Sequence, residues 1–159
     1  MGAESDFLSF GGEGPPISEA EERVFLARVG TTDNALTIIA EWRGEIVGYL
    51  TFTGGNRPRT RHAGEFGITV VQACQGVGLG RRLMELLIDW AQRGAIVRKI
   101  NLLVRPDNRR AIALYESLGF AVEGRKRRDM IVDGEFHDAF LMGLLVDPTD
   151  SAHQDVGRQ

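Results

Sequence analysis

The stretch Val70 to Trp90, VVQACQGVGLGRRLMELLIDW, decides how the rest of the chain is read. The β-formers Ile68, Thr69, Val70 and Val71 lead in, Gly76, Gly78 and Gly80 alternate through Gln75-Gly-Val-Gly-Leu-Gly80, and a helical pattern follows. Leu79, Leu83, Leu86, Leu87, Trp90 and Ala91 recur at helical spacing and make one broad apolar face. The order is strand, glycine turn, helix. Alternate glycines permit backbone angles closed to other residues and let a ligand approach the main chain. N–H groups at the helix start then face a common centre, where the helix dipole favours negative charge. The stretch predicts a phosphate cradle. For glycines standing alone, the plain alternative is a tight turn that packs a helix on a sheet.

Spacing narrows the kind of cradle. A nucleotide-hydrolysing loop ends in Gly-Lys-Ser/Thr, whereas Arg81-Arg82 follow Gly80 here. A dinucleotide fingerprint needs Gly-x-Gly-x-x-Gly and a later acid, whereas these glycines are spaced Gly-x-Gly-x-Gly and the next strand does not end in an acid. Neither function is expected.

Around this stretch, residues 1–16 are glycine- and proline-rich and read as an irregular arm. Ser18 and Glu21 form a capping box that opens a helix from about Glu19 to Val29. Ala35–Glu41 and Glu45–Thr53 read as a hairpin around Arg43-Gly44, and Gly64–Val71 as the strand entering the cradle. Arg98–Val104 is a further strand. A helix follows to about Leu118, capped by Asp107 or Asn108 and closed by Gly119. Phe120–Ile131 and Glu135–Val146 make a last hairpin on Asp133-Gly134. Residues 17–146 are the expected domain and 147–159 a polar tail.

Composition bounds the function. The chain of 159 residues suits one domain, and 43% hydrophobic with 26% charged residues is globular composition. The absence of an apolar run of about 18 residues and of a leader pattern predicts no membrane association and a cytoplasmic location. One cysteine, Cys74, and three scattered histidines argue against a disulfide or a metal site. A net charge of −3 argues against general nucleic-acid binding. The basic patches at Arg57 to His62 and Arg125 to Arg128 read as solvated surface, or as contacts to phosphates or an acidic partner.

The run Gln75 to Gly80 resembles the Gln/Arg-x-x-Gly-x-Gly/Ala signature of the GNAT superfamily of acetyl-CoA-dependent N-acetyltransferases. Val104 to Phe120, VRPDNRRAIALYESLGF, resembles its second signature: an Asn at a helix start, Ala-Ile-x-Leu-Tyr, then Leu-Gly-Phe. The resemblance implies a mixed α/β fold, a central mostly antiparallel sheet flanked by helices on both faces. It also implies acetyl-CoA as donor cosubstrate and direct attack by a primary amine, with no acyl-enzyme. The acceptor is expected to be a small amine or amino acid. A protein N-terminus or lysine, or a non-catalytic acyl-CoA-binding module, are the alternatives, with a homodimer left open.

The resemblance also assigns residues. The amides of Gln75, Gly76, Val77, Gly78, Leu79 and Gly80 would bind the pyrophosphate, with added charge from Arg81 or Arg82. Val70 and Val71 would pair with the pantetheine like an added strand. Asn108 would bind the coenzyme near the pantetheine while serving as N-cap. Tyr115 would protonate the departing thiolate, its competing role being a core tyrosine. Glu65 is the candidate base, against a structural salt bridge. It stands one residue off the commonest register, and such a slip turns a side chain to the other face unless a bulge compensates. Cys74 reads as small filler. About 25 residues of the family's usual opening are missing, which leaves the acceptor wall and a sheet edge to Ser5–Phe10 or a partner.

Overall fold

The computed structural model describes residues 32–42 and 45–148. The N-terminal arm, the helix expected at 19–29, the Arg43-Gly44 turn and the tail beyond residue 148 lie outside them. The strands are β1 (Ala35–Trp42), β2 (Glu45–Gly54), β3 (Ala63–Val70), β4 (Lys99–Val104), β5 (Ala121–Val132) and β6 (Glu135–Leu145). The helices are α1 (Leu79–Arg93) and α2 (Arg109–Ser117). One six-stranded sheet runs in the order β1-β2-β3-β4-β6-β5. All neighbours are antiparallel except β3 and β4. No helix among the described residues is long and apolar enough to cross a membrane.

Strand alternation sets the core face. Leu50 pairs with Ile68 and Phe52 with Phe66, so these side chains share one face, and both described helices cover it. Leu83, Leu87 and Ala91 of α1 are buried as the periodicity predicts. Met84, which the predicted face left out, is completely buried as well, and Trp90 meets Phe52 edge-on at 5.8 Å. The apolar stripe is therefore wide enough to take consecutive positions. At the β5–β6 turn Asp133 and Gly134 have φ of 50° and 78°, the left-handed pair that a two-residue hairpin needs.

One irregularity positions the site. β3 and β4 pair only through Ala63–Glu65 against Lys99–Asn101, while β3 stays paired to β2 as far as Val70. Phe66, the first β3 residue past that contact, stands edge-on to Tyr115 and Phe120, at 5.8 and 6.1 Å. Beyond Glu65 and Asn101 the two strands part, and a cleft opens between them.

Candidate active site

The glycine stretch leaves the sheet at Val71, whose N–H donates to the Val47 carbonyl at 2.9 Å. A short 3-10 turn, Gln72–Cys74, follows, and Gln75 Nε2 ties back to the Val70 carbonyl at 3.2 Å. Gly76 and Gly78 have φ of 79° and 87°, a region costly to residues with a Cβ. Gly78 is the N-cap of α1. The first helical bond runs from Arg82 N–H to the Gly78 carbonyl at 3.0 Å. Among the described residues no backbone bond engages the amides of residues 76–81, so they are available to an anion.

Two arginines frame this loop. A Cβ on Gly76 would lie 3.1 Å from Arg110 Nη2, so the Arg110 guanidinium stands over the loop. Arg81 Nη2 donates to Ser117 Oγ at 2.6 Å, fastening α1 to α2. Arg82 points to solvent and approaches Glu85 at 3.8 Å. The sequence reading left the choice between Arg81 and Arg82 open; Arg81 is the one on the cleft.

The cleft holds about 1470 Å³ and is walled by β3 from Ala63 to Val70, β4 from Asn101 to Val104, the glycine loop, and the start of α2. Val70, Gln75, Gly76, Gly78, Gly80, Arg81 and Asn108 all line it. Val71, Val77 and Leu79 do not. The Val71 amide is held by Val47, the Val77 side chain is exposed, and Leu79 packs over Gly48. Asn108 is the N-cap of α2, its Oδ1 accepting from Ala111 N–H at 3.2 Å. The turn before it is clamped by buried Arg105, whose Nε donates to Asp107 Oδ1 at 3.0 Å and holds that carboxyl below the usual carboxylate range. Cys74 is a half-buried free thiol off the cleft wall.

Tyr115 and Glu65 both line the cleft, from opposite sides. Phe66 faces α2 and touches Tyr115, so its neighbour Glu65 turns to the other face, beside Asn101. Tyr115 is buried, and burial pushes its phenol up to about 12. It is thus a neutral O–H at any working pH. Three wall residues were missed from sequence: Arg110, Asn101 and Asp129. Arg110 lies in the second signature, where a basic doublet follows Asn108; the other two carry no sequence signal. Asn101 Oδ1 is buried with no hydrogen-bond partner. Among the described residues no group of three or more His, Cys, Asp or Glu is placed to hold a metal ion.

The site is thus a glycine-capped helix start opening into a split between parallel strands. Residues 5–120 match the acetyltransferase (GNAT) family, and the chain belongs to it. A GNAT-family acetyltransferase from Streptococcus pneumoniae superimposes with a TM-score of 0.85 at 35% identity, over 91% of this chain and 86% of that one. The Salmonella typhimurium yncA structure, solved with its cofactor acetyl-CoA, gives 0.73 at 26% identity over 88% and 80%. The L-amino acid N-acetyltransferase AaaT of Escherichia coli is 29% identical over 81% of this chain and 80% of its own. Other relatives are a spermidine N(1)-acetyltransferase and a ribosomal-protein uS5 alanine N-acetyltransferase of E. coli, of which the chain covers only 63% and 51%. The enzyme is an N-acetyltransferase with acetyl-CoA as its donor.

Proposed function

We propose that the protein moves the acetyl group of acetyl-CoA to the primary amine of a small molecule, an amino acid or a simple amine, by direct attack in a ternary complex. The observation that carries this is the cleft itself, which runs unbroken from the glycine-loop amides to Tyr115 and Glu65. The pyrophosphate lies on the amides of Gly76 to Arg81, where Arg110 and Arg81 add charge; the Gln75 amide, expected among them, is held instead by the Gln72 carbonyl at 3.1 Å. The pantetheine follows the open edge of β3 from Val70 back toward Phe66, in the gap where β4 has parted from it, and Asn108 meets it from the head of α2. Acetyl-CoA supplies an activated thioester carbonyl at the far end of that track.

The remaining steps are proton movements. Glu65, on one side of the sheet, takes the ammonium proton so that a neutral amine attacks the carbonyl carbon. Tyr115, on the other side, gives its proton to the thiolate as the carbon–sulfur bond breaks, and the proton shed by the acylated nitrogen restores the phenol. Positioning supplies the rest of the rate. The resemblance to an L-amino acid N-acetyltransferase supports a small zwitterionic or cationic acceptor over a protein one. Thiol release from acetyl-CoA across a panel of amino acids, simple amines and peptides tests the reading. Amine-dependent release with small acceptors is expected; release with peptides alone moves the acceptor class to proteins, and none with any amine sinks the proposal.

A further inference from the structure

β5 and β6 are paired at Lys126 with Ala139 and again at Met130 with His137. Three residues of β5, Arg127, Arg128 and Asp129, therefore face only Asp138 on β6. Arg128 has φ of 52°, a left-handed conformation that L side chains avoid. Asp138 holds the distortion in place: its Oδ1 accepts the Arg128 N–H at 2.8 Å and its Oδ2 accepts Arg125 Nε at 2.7 Å. Those two donors, the Arg128 amide first, also keep the Asp138 carboxyl below the usual carboxylate range. Strain held by a dedicated partner at the wall of a cleft marks a re-aimed side chain. Here the re-aimed residues are Asp129 and Met130, both on the cleft wall.

Asp129 is paired with Lys126, Nζ to Oδ1 at 2.8 Å. The two partners are unequal: the Asp129 side chain is 17% exposed and the Lys126 side chain 54%. The carboxylate is the fixed member and the ammonium the movable one. Lys126 is also within electrostatic reach of Glu65, and both carboxylates hold its ammonium above the ordinary lysine range, Asp129 the more strongly. A primary ammonium thus already sits against Asp129, within electrostatic reach of the candidate base. Asn101 Oδ1, buried without a partner, lines the same cleft. Glu65 and Asp129 line the cleft from two different strands and offer carboxylate oxygens to an ammonium.

We propose that the Lys126–Asp129 pair is the acceptor-recognition element of this cleft, and that it is opened by an amine carrying its own carboxylate, an amino acid. The incoming ammonium takes Asp129, and the displaced Lys126 takes the incoming carboxylate. One ion pair becomes two. A simple amine gains Asp129 but leaves Lys126 without its partner, so it binds more weakly. This inference rests on the acyl-transfer reading and names its acceptor.

Calorimetry on the coenzyme A-bound protein, with an amino acid, its methyl ester and an α,ω-diamine, reads the inference without turnover. In the native protein the amino acid binds at least tenfold tighter than ester or diamine. Asp129→Asn weakens the amino acid at least tenfold. Lys126→Met weakens it as much but leaves ester and diamine unchanged or tighter. A merely structural ion pair would move all three ligands together. Lys126 is exposed, so its variant folds and decides the matter even if Asp129→Asn does not. Amino-acid affinity within twofold of native in Lys126→Met, or native preference for the diamine, overturns the inference. Thiol release measured alongside separates the two proposals. Pair-dependent binding without release refutes acyl transfer and spares this element, whereas release indifferent to the pair does the reverse.

Discussion

At the scale of single residues, the acid role proposed for Tyr115 turns on its burial. Its ring is held by Phe66 and Phe120, each at 5.8 Å, and desolvation raises its phenol to about 12. A phenol raised that far is a weak acid in water. The departing thiolate, however, develops in the same desolvated cleft, and burial raises its proton affinity too. Tyr115→Phe is expected to lower kcat by about 10²- to 10⁴-fold while leaving the KM for acetyl-CoA unchanged, which steady-state kinetics checks. The same shift acts on stability. The folded state holds the Tyr115 proton more tightly than the unfolded chain, whose phenol titrates near 10. Its contribution is complete below about pH 10 and disappears as pH rises through about 12, amounting to at most about 3 kcal/mol. Urea unfolding from pH 9 to 12 should therefore show an alkaline loss in the native protein that Tyr115→Phe lacks.

At the scale of elements, the glycine turn carries two left-handed residues, Gly76 and Gly78, within three positions. A Cβ on Gly78 would meet nothing within 4 Å, yet its φ of 87° is unfavourable for any L side chain. Gly78→Ala is expected to destabilise the fold by about 1–2 kcal/mol through backbone strain alone, and to weaken coenzyme A because the loop amides relax away from their common centre. Chemical denaturation and calorimetry separate the two effects. This element was legible in sequence because glycine positions and the apolar period of α1 are local signals. Strand and helix bounds fall within about two residues of those read from the pattern, as pairing and capping also act locally. The displaced register of β5 was not legible. The run Arg125 to Asp129 is uniformly charged and carries no alternation, so nothing in it distinguishes a paired strand from one with extra residues. Val71 illustrates the same limit: it reads as strand, but its N–H is held by Val47 past the last ladder pair. Met84 was missed because a helix between two neighbours buries more than one narrow stripe.

At the scale of the whole molecule, the proposed function depends on a sheet whose β3–β4 pairing is incomplete. A parallel pair extended along its length would satisfy the backbone of both strands. Here pairing ends at Glu65 with Asn101, and Phe66–Val70 and Leu102–Val104 face a cleft. The sequence identified β3 and β4 as strands without showing that they part, because where a parallel ladder stops depends on packing between segments far apart in the chain, such as Phe66 against Tyr115 and Phe120. The open edges leave hydrogen-bonding groups for an extended ligand to satisfy. Acetyl-CoA at about 100-fold over its Kd should then stabilise the protein by about 2.7 kcal/mol. The gain should be localised. In native-state hydrogen exchange, amides of residues 66–70 and 102–104 that point into the gap, together with 76–81, slow on binding. Those of residues 63–65 and 99–101, already paired, change only with global stability. Uniform slowing across all five segments would mean that the coenzyme lies elsewhere on the surface, and that the split between β3 and β4 is packing rather than a track.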